Sequence, residues 1–162
     1  MPLKIYTEDE AQLIENTEEY FKQFQKIVAA GGLVTNDKGE ILMIFRRSKW
    51  DLPKGKLENN EPLELCADRE IKEETGLTSL LLQKKLITTF HTYVEKDKQV
   101  LKETHWYQYL APGYQEVAPQ TEEEITRIDW VVPDELPTYT NNTYNLIMDV
   151  LESAGYTAPR RS

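Results

Sequence analysis

The chain has 162 residues, 40% of them hydrophobic and 29% charged, which suits a single domain with a packed core and excludes a disordered or fibrous protein. Its 28 acidic and 19 basic residues leave a net charge of −9, which argues against a broad, sequence-independent nucleic-acid footprint but not against a small anionic substrate in a locally basic or metal-filled pocket. The single cysteine, Cys66, precludes an intramolecular disulfide, and the absence of a charged leader or membrane-length apolar run points to a cytoplasmic protein without a membrane partner.

Residues 1–26 read as an N-terminal appendage, solvated and packed on rather than catalytic. Leu3 to Tyr6 suits a short strand, and Asn16 can cap a short helix that turns Phe21 and Phe24 inward. A domain over 27–153 follows, then a tail over 154–162. Two strands are expected at 27–35 and 41–47, joined as a hairpin by the turn-forming residues 36–40. The small run Ala29, Ala30, Gly31, Gly32 allows close approach by another backbone or a ligand, or tight packing against a helix. Arg46 and Arg47 end the second strand, and alternation sends them to opposite faces, so one of the two can serve a site. A loop is expected over 50–56.

Between Gly55 and Leu77 the sequence reads as a glycine-bearing loop, a helix and a glycine stop. Pro62 suits a helix start and Gly76 a left-handed C-terminal cap. At roughly 100° per residue, Glu70 and Glu74 share the face of Leu63, Ala67 and Ile71, and Glu73 sits just beside them. Carboxylates on the apolar face repel one another, and burial sharpens that repulsion. Arg69 can compensate one of them; a hard divalent ion held by carboxylate oxygens answers the arrangement better.

This stretch resembles the Nudix box, Gly-x5-Glu-x7-Arg-Glu-U-x-Glu-Glu-x-Gly-U, where U is a bulky aliphatic residue. Gly55, Glu61, Arg69, Glu70, Ile71, Glu73, Glu74, Gly76 and Leu77 meet every specified position. The resemblance implies an α/β fold, an α/β/α sandwich around a mixed β-sheet, and a hydrolase that uses Mg²⁺ or Mn²⁺. It implies metal ligands among Gly55 (or its neighbour Lys54), Glu70, Glu73, Glu74 and a later glutamate, for which Glu124 fits best. Glu73 and Glu124 are the candidates for general base. Arg69 belongs with the catalytic group, bracing the loop and helix together with Glu61.

Lys54 and Lys56 flank Gly55, where an anionic substrate is expected above the metal, and with Arg46 they are the first substrate-binding candidates. Residues 80–93 and 103–110 suggest a second hairpin whose aromatic residues are mainly core. His91 and His105 lack metal-ligand spacing and read as structural. A strand is expected at 127–132, a turn at Pro133 to Pro137, and a closing helix at 141–153 ended by Gly155.

Outside the box, Trp50 to Lys56 resembles the diadenosine polyphosphate and diphosphoinositol polyphosphate hydrolase branches of the family. Tyr93 and Lys102 are similar to a tyrosine and a polyphosphate-binding lysine of the former branch. The resemblance therefore implies a small phosphorylated substrate, a nucleoside diphosphate linked to another group, and a possible homodimer. Two rivals stand beside it: an ADP-ribose or nucleotide-sugar pyrophosphatase, and a Nudix-fold module that senses a nucleotide without cleaving it.

Overall fold

A computed structural model describes residues 1–157; of the expected 154–162 tail, residues 158–162 lie outside the described residues. The strands in chain order are β1 (Leu3–Thr7), β2 (Glu10–Ile14), β3 (Gln25–Asn36), β4 (Ile41–Arg46), β5 (Lys49–Asp51), β6 (Lys54–Lys56), β7 (Leu81–Glu95), β8 (Lys98–Ala111) and β9 (Ile125–Val131). The helices are α1 (Thr17–Phe21), α2 (Leu63–Thr75), α3 (Leu136–Thr140) and α4 (Asn145–Ser153). All the strands join one sheet in the order β2-β1-β7-β8-β3-β4-β5, with β6 added on β3 and β9 on β4. The β1–β7 and β3–β8 pairs are parallel and the others antiparallel, so the sheet is mixed.

Period-two alternation sorts the side chains of the central strands between two cores. Ala30 and Val34 of β3, Leu42 and Ile44 of β4, and Tyr107 and Tyr109 of β8 pack with Cys66, Ala67 and Ile71 of α2. Their neighbours Leu33, Ile41, Met43 and Trp106 pack on the other face with Leu136 of α3 and Ile147, Val150 and Leu151 of α4. Helices therefore cover both faces, and the architecture is the expected α/β/α sandwich. Ile71, fully buried, alone contributes roughly 2 kcal/mol of burial.

The glycine run works through close packing. A Cβ on Gly32 would lie 2.6 Å from the Ile71 side chain, and one on Gly31 would lie 2.3 Å from the Pro53 carbonyl oxygen. Those two glycines let α2 and the 53–56 segment settle directly on β3.

Several boundaries differ from the sequence expectation. The β3–β4 hairpin closes at one pair, Thr35 with Ile41. Beyond it the strands diverge: β3 pairs along its whole length with β8, and β4 with β9. Residues 50–56, expected as a loop, contain β6 and the end of β5: β5 turns back on the adjacent β4, β6 pairs with the distant β3, and neither carries an alternating pattern of its own. The turn at Pro133 to Pro137 continues into α3, with Pro137 in its first turn, where a missing N–H is tolerated. The closing helix starts at Asn145. At the N-terminus a second strand, β2, turns back on β1, and Asn16 caps α1 as expected, its side chain accepting the Glu19 N–H at 3.2 Å.

Candidate active site

Helix α2 is the centre of the site. It begins after Pro62, whose carbonyl accepts the Cys66 N–H at 3.0 Å, and ends at Gly76 in the left-handed region (φ 80°). The 3.6-residue period turns Cys66, Ala67, Ile71 and Glu74 inward together. Glu74 is only 3% exposed, and its carboxylate accepts the Lys54 N–H at 3.2 Å. Burial pushes its pKa up to about 7, an effect that the nearby Lys54 partly offsets. Glu70, one turn earlier, is also raised by burial, against the pull of Arg69.

Arg69 ties the loop to the helix. Its guanidinium donates to Glu61 at 2.7 and 2.9 Å, to Glu70 at 2.8 Å, to Glu73 at 3.4 Å and to the Lys56 carbonyl at 3.1 Å. Glu61 also accepts the Glu58 N–H at 3.1 Å, closing the loop that precedes α2. The bond from Arg69 holds Glu61 down at about 2, and Arg69 itself is held above its ordinary range by the same carboxylates.

Gly55 lies against the Glu70 carboxylate, with no room for a side chain: a Cβ there would fall 1.8 Å from Glu70 Oε2. The Gly55 carbonyl accepts the Cys66 thiol at 3.6 Å. Glu70, Glu74 and the Gly55 backbone are thus gathered on one side of α2. Glu73 is 54% exposed on its rim. Among the described residues, no three His, Cys, Asp or Glu side chains already form a metal cage. The donor set nevertheless fits a hard divalent cation. Two desolvated carboxylates need a positive neighbour to ionise together, and Mg²⁺ keeps much of its water, so few protein oxygens suffice.

The predicted substrate residues converge on a cleft of about 1000 Å³, which adjoins α2 through Lys54, the residue whose N–H meets Glu74. Arg46, Arg47, Lys54, Lys56, Tyr93 and Lys102 all line it. Pairing of β7 with β8 sets His91 directly opposite Lys102, and the Lys102 ammonium lies 5.8 Å from the centre of the Tyr93 ring. Burial, helped by Lys54, Lys56 and Arg46, lowers Lys102 to about 8. Lys54 is steadied by Asp51 at 3.6 Å.

Both arginines reach the cleft, whereas alternation allowed one. Arg47 and Ser48 have positive φ (52° and 68°), so the chain leaves the strand there and alternation no longer applies. Arg47 pairs with Glu124, which is 59% exposed and lowered by that pairing. Of the three adjacent glutamates, Glu123 lines the cleft and is close enough to Glu70 to raise its pKa. The 3-10 turn at 121–123 and the left-handed Glu124 decide which side chain faces in, and the sequence gives no sign of that turn.

Two contributors were not anticipated as site residues. His91, read from sequence as structural, lines the cleft and stacks on Tyr93 with ring centres 5.5 Å apart. Burial, then Lys54 and Lys102, lower it to about 4, so it is neutral at physiological pH. Its Nδ1 and the Arg46 Nε are buried without a hydrogen-bond partner among the described residues. The N-terminal segment is the second, bringing Gln12, Tyr20 and Phe24 to the cleft wall. His105, in contrast, is held by Glu103 at 2.7 Å and Thr88 at 3.2 Å and takes no part.

Comparison with known proteins gives the same outline. The NUDIX domain family profile matches residues 25–150. A putative 8-oxo-dGTP diphosphatase of Bacillus subtilis is 33% identical over 109 residues, covering 66% of this chain and 67% of that protein. An ADP-ribose pyrophosphatase of the same organism is 43% identical over 70 residues, covering 40% of this chain and 37% of its own length, so the chain spans little more than a third of that relative. Among solved structures, the Ap4A hydrolase of C. elegans superimposes with a TM-score of 0.61 at 21% identity, covering 80% of this chain and 96% of the other. At that identity the likeness concerns the fold alone.

Proposed function

The chain belongs to the NUDIX domain family and is a hydrolase of phosphoanhydride bonds, and on that premise we propose that its substrate is a nucleoside polyphosphate capped at both ends, in the class of the dinucleoside polyphosphates. The observation that carries this reading is the cleft: a row of cations, Arg46, Lys54, Lys56 and Lys102, beside the carboxylate helix and next to the Tyr93 ring. On a protein of net charge −9, such a concentration of positive charge has a specific use. Four cations on one cleft can neutralise several phosphates in a chain, more than a single diphosphate requires.

Each residue then has a definite task. Lys102 and Arg46 neutralise phosphate oxygens, and Lys54, steadied by Asp51, does so nearest the helix. Tyr93, backed by His91, offers a ring face for a base. Glu70, Glu74 and the Gly55 backbone would hold Mg²⁺ or Mn²⁺, with Glu73 within reach. When bound, such an ion offsets the phosphate charge that repels a nucleophile and acidifies a water. Glu73 and Glu124 remain the candidates for the base that takes the water's proton. Glu123, which faces the cleft, joins them. Arg69 holds the loop and helix in register rather than touching substrate, because its donors are already committed to Glu61, Glu70 and the Lys56 carbonyl.

Tyr93→Ala tests the base contact. It should raise KM for a dinucleoside polyphosphate by roughly tenfold, in line with the worth of one base–aromatic stack, while kcat stays within twofold. An unchanged KM would remove Tyr93 from the site. Release of AMP and ribose phosphate from ADP-ribose at a higher kcat/KM than any polyphosphate would replace the reading with an ADP-ribose pyrophosphatase.

A further inference from the structure

The N-terminal wall of the cleft precedes residues 25–150, the span of the family match, and its chemistry differs from that of the cationic side. It contributes Glu8, Asp9, Gln12, Tyr20 and Phe24 to the cleft, and neither lysine nor arginine. Carboxylates repel a phosphate chain, so this wall suits a group without negative charge.

Two aromatic rings offer it a surface. Tyr20 and Phe24 lie with ring centres 5.1 Å apart and tilted by 40°, each half-buried. Neither ring is fully buried, so they are not spent on a closed core. The segment carrying them is nevertheless fixed in place. Phe21 stacks on Phe90 of β7 at 6.1 Å and 25°, Thr7 and Thr92 share a hydroxyl hydrogen bond of 2.6 Å, and Asp9 accepts the Asn145 N–H at the start of α4 at 2.6 Å. Rings held this way lose little freedom when they bind.

We propose that Tyr20 and Phe24 form a subsite for a second uncharged aromatic end group of the substrate, in chemical class a nucleobase, additional to the one assigned to Tyr93. This rests on the polyphosphate reading above and sharpens it: the enzyme selects chains capped by a base at each end over nucleoside triphosphates, which end in a free phosphate.

The test is the ratio of kcat/KM for diadenosine tetraphosphate to that for ATP, at fixed ionic strength, in the wild type, Tyr20→Leu and Phe24→Leu. Leucine keeps apolar bulk and removes the ring. Each variant should lower the ratio about tenfold through KM, and Phe24→Tyr, which keeps a ring, should restore it. A ratio unchanged in both leucine variants, or equal losses on both substrates, would overturn the subsite. Should either leucine variant fail to fold, Phe24→Trp reads the same contact: a ratio that does not respond to the larger ring counts against it. A wild type that cleaves ADP-ribose and neither of the two nucleotides would overturn the polyphosphate reading itself, a failure distinct from loss of the subsite alone.

Discussion

At the scale of single residues, Glu74 and Lys102 carry opposite charges into low-exposure positions, and each is pushed toward neutrality. For Glu74 the direction has a stability consequence in the metal-free chain. Its folded value of about 7 lies above the ordinary 4.5, so the folded state favours the protonated form. The associated stability is therefore complete below about pH 4.5 and lost as pH rises through 7, by roughly 3 kcal/mol. Glu74→Gln carries no charge at any pH and can still accept the Lys54 N–H. Urea unfolding with a chelator, at pH 5 and pH 8, should show a stability loss in the wild type that is smaller by roughly 3 kcal/mol in Glu74→Gln. Parallel pH slopes would mean that Glu74 is solvated. The sequence showed Glu74 on the apolar face because a helical wheel needs only local spacing. It could not separate Glu123 from Glu124, since the backbone turn that orients them depends on where β9 joins the sheet.

At the scale of elements, the loop–helix unit from Gly55 to Gly76 was legible because the contacts that tie its loop to its helix are local: Arg69 reaches Glu61 eight residues back, and Gly55 meets Glu70 fifteen residues on. Two glycines show how differently such contacts fail. A Cβ at Gly55 would displace the Glu70 carboxylate, the movable end of a flexible side chain. A Cβ at Gly31 would meet the Pro53 carbonyl oxygen at 2.3 Å and the Lys54 Cα at 2.9 Å, both backbone. Gly55→Ala should therefore melt within a few degrees of the wild type yet lose at least a hundredfold in kcat, whereas Gly31→Ala should lose several degrees of Tm. Thermal melts beside steady-state rates separate the two, and full activity in Gly55→Ala would show that the Glu70 position is not needed. The strands β5, β6 and β2 and the helix α3 were not legible. Each is short: β6 and α3 are defined by partners far away in the chain, while β2 and β5 fold back on the strands just before them through Glu8-Asp9 and Arg47-Ser48, positive-φ turns that carry no glycine to announce them.

At the scale of the whole molecule, the sheet brings together segments that no local reading connects. The cations come from β4, β6 and β8 and the aromatic contacts from β7 and the N-terminal segment, and β6 brings them to the α2 carboxylates through the Lys54 N–H on Glu74. The N-terminal residues looked like an acidic appendage because their place on the cleft wall arises only when β1 pairs with β7 through Tyr6 with His91 and Thr7 with Thr92. Among the described residues, no helix is long and apolar enough to cross a membrane. What remains is a protein of net negative charge whose cleft has one cationic side, Arg46, Lys54, Lys56 and Lys102, joined to the carboxylate helix where the Lys54 N–H meets Glu74. The proposed reading of its phosphoanhydride hydrolysis requires those two features to act together.

The most direct test of that joint action is a product screen in Mg²⁺ and in Mn²⁺ over diadenosine polyphosphates, ADP-ribose, nucleotide sugars, nucleoside triphosphates and diphosphoinositol polyphosphates, with wild type and Glu74→Gln side by side. The account predicts highest kcat/KM on a diadenosine polyphosphate, dependence on the added metal, and at least a hundredfold loss in a Glu74→Gln protein that remains folded. Turnover that survives Glu74→Gln, or that needs no divalent ion, would contradict it.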